Sequence, residues 1–553
     1  MDNFASATGT AFRVTNLTLD LDESEERLRE RACEAAGIEP EQLRSFRIAR
    51  KSLDARRTAG GGRRFRFVIH ADLVLDPAPA GEIFERALRS GRIKPLPPPQ
   101  ELVLPRSVQA VSPGRVSVVG SGPAGLFAAL VLAESGCRVD LVERGGPLLN
   151  RGRALAAFLN RRIPDPENNL LFGEGGAGTY SDGKLYTRVD HPLSLPILET
   201  LVRCGAPPEI VYDSRAHIGT DRLHTVLPAL RERLIDAGVE FHWHTRFEGF
   251  GFRSEEREGN GRRRVCSLKT SSGEIPCEAV VLAVGHSARD TWSRLLEQNI
   301  EIEARATQLG VRIEHPQSLI DSGRYGEGPE AAALGASYYG LVCRGNAATA
   351  GGYSFCMCPG GQIVASVNTP GLLCTNGMSN SRHSSPWANA AIVTAVGPAE
   401  FGDGVFAGVD YQRELEAKFF DHGGGDYRAP AQRASDFLAG RETRSLGPTS
   451  YKFGVVPGRI DQLLPAALRD SLRRALNAFD RQIPGFAGDE GIMVGVETRC
   501  SAPLRIPRDP DTFRARGVAN LYPVGEGAGY AGGILSAAID GARAAQALLQ
   551  TPA

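Results

Sequence analysis

The feature that most constrains the fold is a glycine-rich turn between a short apolar strand and an apolar helix. Residues 115–120 read RVSVVG, and the helical stretch PAGLFAALVLAESG follows at 123–136. A second strand, CRVDLVER, comes directly afterwards at 137–144. An apolar strand, a turn, a helix and another apolar strand in this order predict a βαβ unit within a parallel sheet.

The glycines of this turn have the spacing GxGxxG, which predicts a binding site for an adenine dinucleotide. Gly120 permits the tight turn, Gly122 lets a pyrophosphate approach the backbone, and Gly125 lets the helix pack closely on the strand. The positive N-terminal end of the helix would then face the phosphates. The predicted binding residues of the turn are Gly120, Ser121, Gly122, Pro123, Ala124 and Gly125.

Two charged residues at the end of the second strand are further candidates. Glu143 stands where a carboxylate can accept hydrogen bonds from the ribose hydroxyls of an adenosine. Arg144 could cover the adenine or contact a phosphate, and a solvated surface arginine is the equal alternative. The motif alone does not separate FAD from NAD, because both contain adenosine diphosphate.

A second glycine-rich loop, LLFGEGGAGTYSDGKL at 170–185, favours FAD. Its glycines allow close backbone approach to a flat ring, and hydroxyl and ammonium donors stand nearby. We therefore expect this loop to lie against a flavin. Its predicted binding residues are Gly175, Gly176, Gly178, Thr179, Ser181, Asp182, Gly183 and Lys184.

With these loops the sequence resembles the large group of flavoproteins that have two dinucleotide-binding domains. AVVLAVGHSARD at 279–290 resembles the apolar strand, here ending in Gly285, that passes close to FAD in those folds. YPVGEGAGYAGGILSAAIDGARAA, from Tyr522, resembles their closing segment, with Glu526 where aspartate is commoner. The next helix would stabilise negative charge on a reduced flavin. The residues implied here are Gly525, Glu526, Gly527, Ala528, Gly532, Gly533 and Ile534.

The whole chain resembles a narrower group of bacterial FAD-dependent dehydrogenases, or NAD(P)/FAD-dependent oxidoreductases, of unassigned substrate. The strings that carry this resemblance are KSLDAR (51–56), EGGAGTYSDGKL (174–185), CMCPGG (356–361), ETRCSAP (497–503) and GEGAGYAGGI (525–534). The resemblance implies an α/β fold with an FAD-binding Rossmann-like domain of the glutathione-reductase type. It also implies an inserted β-rich α+β substrate domain, a small N-terminal α+β ferredoxin-like domain, and main-chain hydrogen bonds from Phe247 to adenine.

Five segments follow from changes in pattern and composition along the chain. An alternating strand, a charged helix and another alternating strand predict the small N-terminal domain, and a proline-rich linker follows it. The stretch SFCMCPGGQIVASVN predicts a hairpin about 359–361 in the substrate domain. The expected segments are 1–95 (N-terminal domain), 96–114 (linker), 115–300 (FAD-binding, first part), 301–490 (substrate domain) and 491–553 (FAD-binding, C-terminal part).

The N-terminal domain carries a basic segment. Between positions 44 and 66 there are nine Arg and Lys residues and one Asp, with a GGG turn at 60–62. The segment is either a solvated face or a docking surface for an anionic partner or a cofactor phosphate. The whole chain has 64 basic and 64 acidic residues, which argues against a general affinity for nucleic acid or acidic membranes.

Several reactive side chains have no clear role in the sequence. Cys356 and Cys358 would point to one face of a strand, as a redox pair, a substrate thiol adduct or, more simply, a lining of the substrate cavity. His286 and His383 are proton-donor candidates or ordinary structural histidines. Glu497 and Arg499 are candidates for the cavity wall. No disulfide scaffold or metal site is predicted, and the catalytic acid or base stays unassigned.

The sequence thus predicts an FAD-dependent oxidoreductase that exchanges a hydride between an unidentified small molecule and the flavin. No second GxGxxG stands between a strand and a helix, so NAD(P)H is expected only as a transient reductant. The alternative is a flavoprotein that binds RNA, or a partner such as an electron donor, through its basic N-terminal domain. No leader or membrane span is evident, which predicts a cytoplasmic protein.

Overall fold

The computed structural model describes residues 9–56, 63–76, 81–98, 100–104, 114–185, 187, 189–253, 263–346 and 349–550. The predicted GGG turn at 60–62 lies outside the described residues, and so does part of the predicted linker, at 105–113. Within the described chain, no helix is both long and apolar enough to cross a membrane.

The N-terminal unit is an antiparallel sheet covered by two helices. Its strand order is β2-β3-β1-β4. Alternate residues of the strands, such as Val14 and Ile69, are fully buried against Leu28 of the first helix. The elements are β1 (Thr10–Asp20), α1 (Arg27–Ala36), β2 (Leu43–Asp54), β3 (Arg66–Leu75), α2 (Glu82–Arg89) and β4 (Ile93–Pro95).

The dinucleotide-binding unit is built on a parallel five-stranded sheet of order β23-β11-β5-β6-β7. Its strands are β5 (Arg115–Val119), β6 (Arg138–Val142), β7 (Val239–His242), β11 (Ala279–Leu282) and β23 (Leu521–Pro523). Its helices are α3 (Pro123–Glu134), α4 (Leu148–Arg161), α5 (Ser194–Arg203), α6 (Thr220–Asp236), α7 (Arg289–Glu297) and α15 (Ile534–Gln550). A small antiparallel sheet beside it contains β8 (Phe247–Phe252), β9 (Val265–Thr270) and β10 (Gly273–Pro276).

The middle unit is built on a seven-stranded sheet of order β14-β15-β18-β13-β21-β19-β20. Its strands are β13 (Thr307–Pro316), β14 (Val342–Cys343), β15 (Gly352–Cys358), β18 (Trp387–Val396), β19 (Ala429–Arg433), β20 (Val455–Pro457) and β21 (Ile492–Glu497). Two further pairs are β12 (Glu303–Ala304) with β22 (Leu504–Arg505) and β16 (Gly361–Ala365) with β17 (Thr375–Ser379). The helices are α8 (Gln317–Tyr325), α9 (Pro329–Ala333), α10 (Pro398–Phe401), α11 (Ala407–His422), α12 (Ala434–Ala439), α13 (Ile460–Leu463) and α14 (Ala466–Asp480).

Two features of the middle unit differ from the sequence-based expectation. The strand β21 belongs to its sheet, so the unit extends beyond the expected boundary at 490. The predicted hairpin about 359–361 is wrong, because β15 pairs with β14 and β18 whereas β16 pairs with β17 in a separate sheet. Local turn residues indicated a reversal of the chain but could not indicate which strands pair across it.

The close crossing of α3 and α15 holds the two ends of the dinucleotide-binding unit together. The helix α3 has ten consecutive buried residues, Ala124 to Ala133, because it lies between the sheet and α15. Gly541 allows this approach, since a Cβ at that position would lie 2.0 Å from the carbonyl oxygen of Ala124. The chain segments that begin at 115 and end at 550 therefore form one core.

Replacing Gly541 by Ala should lower the melting temperature of the protein. The added methyl group meets backbone and cannot move aside, so we expect a loss of about 1–3 kcal/mol of stability. Thermal unfolding followed by circular dichroism measures the effect. Gly152→Ala is the matched control, because Gly152 is an exposed helical glycine at which an added methyl group would meet no atom within 4 Å. That variant should gain roughly 0.5–1 kcal/mol from helix propensity, and equal changes in both variants would contradict the role of Gly541.

Candidate active site

A cavity of about 900 Å³, here the main cavity, lies at the carboxyl ends of the parallel strands and against the middle unit. Such an edge is where open α/β sheets bind ligands. Most of the predicted cofactor-binding residues line it, from several separate parts of the chain. They are Gly120, Ser121, Gly122, Pro123, Ala124, Glu143, Arg144, Gly176, Gly178, Ser181, Asp182, Gly183, Lys184, Phe247, Gly285, Gly525, Glu526, Gly532, Gly533 and Ile534.

Five predicted residues, Gly125, Gly175, Thr179, Gly527 and Ala528, are not part of the cavity lining. Two of these glycines permit backbone contacts: a Cβ on Gly125 would lie 1.8 Å from the Gly120 carbonyl oxygen, and one on Gly527 would lie 2.4 Å from that of Gly285. These two glycines affect the shape of the cavity indirectly, because they let the loops that line it pack closely together.

The glycines on the cavity wall leave room for a ligand at the start of two helices. A Cβ at Gly122, Gly285 or Gly532 would meet no atom within 4 Å. Gly122 is the N-cap of α3 and has no side-chain cap, and Gly533 directly precedes α15. The N-terminal ends of two helices beside open space suit the phosphates and the electron-rich ring of a flavin dinucleotide. The residues present therefore fit FAD.

The Glu143 carboxylate is held by donors from three turns. One oxygen accepts hydrogen bonds from the Ser121 N–H (2.9 Å) and the Ser121 hydroxyl (2.7 Å). The other accepts from the N–H groups of Gly145 (2.9 Å) and Gly173 (3.0 Å). The side chain is only 5% exposed, so its position at the end of β6 is fixed by the protein itself.

Arg144 is neither a solvated arginine nor available as a simple phosphate ligand. Its guanidinium forms ion pairs with Glu167 and with Asp290 at 2.9 Å. It also lies over the ring of Phe172, 4.2 Å from the centroid. These contacts make it a fixed part of the wall beside the expected adenosine end of the site.

Arg151 on α4 is the main residue that the sequence did not reveal. It is fully buried and donates hydrogen bonds into the second glycine-rich loop, to the carbonyl oxygens of Asn169 (2.8 Å) and Gly176 (3.0 Å) and to Thr179 Oγ1 (3.0 Å). Burial lowers its pKa to about 10, and it still carries its charge at neutral pH. No pattern separates it from the exposed Arg153 two positions later.

The middle unit supplies the opposite wall of the main cavity. Its lining residues are mainly aromatic or sulfur-containing: Tyr339, Tyr353, Phe355, Cys356, Met357 and Cys500. Arg312 lies behind this wall, fully buried, and pairs with Glu497 while donating to the Cys356 carbonyl oxygen at 2.9 Å. The wall is therefore mixed: aromatic and sulfur-containing side chains lie beside the polar Asn376, Glu497 and Arg499, as expected for the last two, and Arg312 holds Glu497 from behind.

The two neighbouring cysteines of β15 differ in their access to the main cavity. A bulge between Phe355 and Cys358 gives Cys356 a φ of 45°, and Cys356 lines the main cavity while Cys358 is fully buried. The Cys358 sulfur lies 3.8 Å from Lys184 Nζ. Hydrogen bonding from the Cys358 thiol lowers the pKa of Cys356, and the positive charge of Lys184 acts in the same direction.

Glu526 is the lining residue best suited to hold a proton at neutral pH. Burial raises its pKa to about 8, and the charge of Arg305 only partly opposes this shift. His286 also lines the main cavity, but burial lowers its pKa to about 4, so it is neutral. His383 does not line the cavity and stacks on His217 with ring centroids 4.2 Å apart.

Arg499 lines the main cavity and shares a buried carboxylate with an arginine of the dinucleotide-binding unit. It pairs with the fully buried Glu416 of α11, which also pairs with Arg289 at the start of α7. The Thr498 hydroxyl also donates a hydrogen bond to the Glu416 carboxylate. The guanidinium of Arg499 is thus oriented by protein groups on the cavity side of β21.

Three family models match parts of the chain. Residues 306–500 match a model described as FAD-dependent protein, C-terminal domain-like, and residues 114–162 match an FAD binding domain. Residues 12–59 match a domain of unknown function. FAD is therefore the cofactor for which the main cavity is built.

An uncharacterized protein of Clostridium beijerinckii is 36% identical over 544 residues, which cover 98% of this chain and 99% of that protein. Among solved structures, L-proline dehydrogenase from P. horikoshii aligns with 78% of this chain and 92% of its own, at 13% identity and a TM-score of 0.30. Glycine oxidase from Geobacillus kaustophilus aligns with 80% of this chain and 96% of its own, at 13% identity and a TM-score of 0.30. Likeness at this level does not identify a substrate.

The matched FAD models cover both the glycine turn of β5 and the sheet of the middle unit. The similarity to the protein of Clostridium beijerinckii spans nearly the whole length of both proteins. The chain belongs to a family of FAD-dependent proteins.

Proposed function

We propose that the protein exchanges a hydride between FAD and an unidentified small molecule held against the middle unit. The observation that carries this proposal is the continuity of the main cavity, which the glycine loops line on one side and Tyr353, Phe355 and Cys356 line on the other. A ligand of the middle unit and the cofactor would thus meet in one enclosed space.

FAD, when bound, supplies the two-electron chemistry, since its ring accepts or releases a hydride. The protein would contribute three things to this reaction. The N-terminal end of α15 would stabilise negative charge at the ring, Glu526 would hold a proton on its carboxyl oxygen, and the aromatic wall would keep water away. For binding of the substrate itself, the Lys184 ammonium, held by Asp182 at 2.8 Å, would donate a hydrogen bond to a polar substrate group.

We also propose specific fold types for the N-terminal and flavin-binding units, and specific redox partners for the flavin. The order β2-β3-β1-β4, with the succession β1-α1-β2-β3-α2-β4, supports a ferredoxin-like N-terminal unit. The parallel sheet and the segment from Gly525 support a flavin domain of the glutathione-reductase type. NAD(P)H is the proposed transient reductant, and a second small molecule or an electron-transfer partner would complete the cycle. No feature of the described residues supports RNA binding.

Anaerobic reduction tests the proposed reaction. The flavin absorbance of the purified protein should bleach with NADH or NADPH, and one of the two should react faster. Reoxidation with separate candidate acceptors, again without oxygen, would then show the direction of the reaction. A protein whose flavin neither nicotinamide nor any tested small molecule reduces or reoxidises would contradict the proposal while leaving the FAD site intact.

Gly122→Asp should abolish flavin binding without unfolding the protein. The new side chain enters open space, so the fold has room for it, but its charge repels the cofactor phosphates at the start of α3. Visible flavin absorbance after purification measures binding, and circular dichroism checks the fold. The control is Gly447→Asp, at an exposed glycine with equally open surroundings outside the cavity. Equal flavin content in the two variants would contradict the assignment of Gly122.

Arg151→Met should weaken FAD binding by at least about tenfold, because the second glycine-rich loop loses the hydrogen bonds that fix it. Titration of the flavin-free protein with FAD, followed by flavin fluorescence, gives the dissociation constant. Arg153→Met is the control, since Arg153 is exposed on the same helix. If both variants bind FAD as tightly as the wild type, Arg151 does not organise the site.

A further inference from the structure

A second cavity, of about 400 Å³, lies where the N-terminal unit meets α8 and the end of α14. We name it the arginine cavity. Among the described residues, its wall contains one carboxylate, Asp54, and five guanidinium groups. These belong to Arg56, Arg63, Arg215, Arg324 and Arg481.

The single carboxylate does not balance this charge. Asp54 is already paired with Arg56 at 2.7 Å and with Arg66 at 3.3 Å. Hydrogen bonding from Arg56 lowers the pKa of Asp54 to about 2, so the pair is ionised at neutral pH. Asp54 is therefore already engaged, and it does not pair with Arg324 or Arg481.

Two of these arginines are held in place by contacts across the junction of the units. Arg63 donates to the carbonyl oxygen of Gly323 at 3.1 Å, which ties the N-terminal unit to α8. Arg215 stacks on the ring of Tyr338, 3.3 Å from its centroid. The cavity is thus formed by side chains in defined positions and is not a loose surface cluster.

Two other arginines lack an acidic partner. Neither Arg324 nor Arg481 forms an ion pair with any carboxylate in the described part of the chain. The Nε atom of Arg324 is buried, with no hydrogen-bond acceptor among the described residues. A buried donor of this kind is costly unless a ligand or water supplies the acceptor.

We propose that the arginine cavity binds a small phosphorylated ligand with at least two phosphate charges. Guanidinium groups present paired N–H donors that match phosphate oxygens. The volume lies in the range of small-molecule sites, and the ring of Tyr338 offers an apolar face beside the charges. A recessed site of this size favours a compact anion over a nucleic acid, which would need an extended basic track.

The arginine cavity is separate from the main cavity, but residues of the two cavities are neighbours in the sequence. Tyr338 lines the arginine cavity, whereas the next two residues, Tyr339 and Gly340, line the main cavity. The ligand chemistry has two sources, the phosphates of a nicotinamide dinucleotide and a free phosphorylated metabolite. The inference goes beyond the proposed hydride transfer and does not depend on it.

Binding of inorganic pyrophosphate and of ADP to the flavin-loaded, full-length protein tests the proposal. Isothermal titration at constant ionic strength should give saturable binding with one site. The double variant Arg324→Gln/Arg481→Gln should bind at least about tenfold more weakly, because charge-assisted hydrogen bonds are lost. Its flavin absorbance should equal that of the wild type.

The matched control is Arg222→Gln/Arg413→Gln, which removes the same charge from exposed positions outside both cavities. It should bind both probes like the wild type. No saturable binding of either probe, or equal weakening in the two double variants, would overturn the proposal. Tighter binding of a single-stranded oligonucleotide than of ADP, lost in the arginine-cavity variant, would also overturn it in favour of a nucleic-acid site.

A competition experiment separates the two sources. If the ligand is a nicotinamide dinucleotide, pyrophosphate should inhibit flavin reduction by NADPH competitively in the wild type, and the Arg324→Gln/Arg481→Gln variant should have a raised KM for NADPH. If it is a free metabolite, pyrophosphate binds without competing. Both outcomes support the site and differ in its ligand.

Discussion

The hydrogen bonds to the Glu143 carboxylate are the interaction on which the FAD site depends. A carboxylate has about four acceptor positions, and here the Ser121 N–H and hydroxyl and the N–H groups of Gly145 and Gly173 use four. The residue therefore joins the first glycine turn, the end of β6 and the second glycine-rich loop. Any movement of one turn relative to another would leave a buried carboxylate with fewer donors, which is costly in a site with so little solvent.

The parts of this site that the sequence predicted are those whose determinants lie close together in the chain. The turn from Gly120 to Gly125 is flanked by its own strand and helix, and Glu143 ends the next strand, so local pattern was sufficient to place them. The ribose contact expected of Glu143 stays a prediction, because donors of the protein itself engage its carboxylate. Arg151 escaped notice because its partners, apart from Thr179 Oγ1, are main-chain oxygens of the chain that follows its own helix. Such acceptors leave no signature in the sequence.

The middle unit was predicted least well, for a related physical reason. Arg312 and Glu497 form a buried ion pair across 185 positions of sequence, and only the pairing of β13 with β21 brings them together. The same pairing includes β21 in this sheet, and the bulge in β15 leaves Cys356 on the cavity wall while Cys358 is fully buried. Buried ion pairs of this kind add little net stability but become very unfavourable if one partner is displaced. They therefore favour one strand register over others, and that register decides which side chains reach the substrate wall.

The basic residues of the N-terminal unit, between positions 44 and 66, differ in their surroundings in a way that the overall net charge does not reveal. Arg47 shares the fully buried Asp72 with Arg13, and Lys51 pairs with Glu25, so much of the segment is neutralised where it stands. The carboxylates nearest to it are therefore already engaged. Arg56 and Arg63, at the other end of the segment, instead meet arginines contributed by elements much later in the chain. The segment therefore differs along its length, because Arg47 and Lys51 pair with carboxylates whereas Arg56 and Arg63 line the arginine cavity.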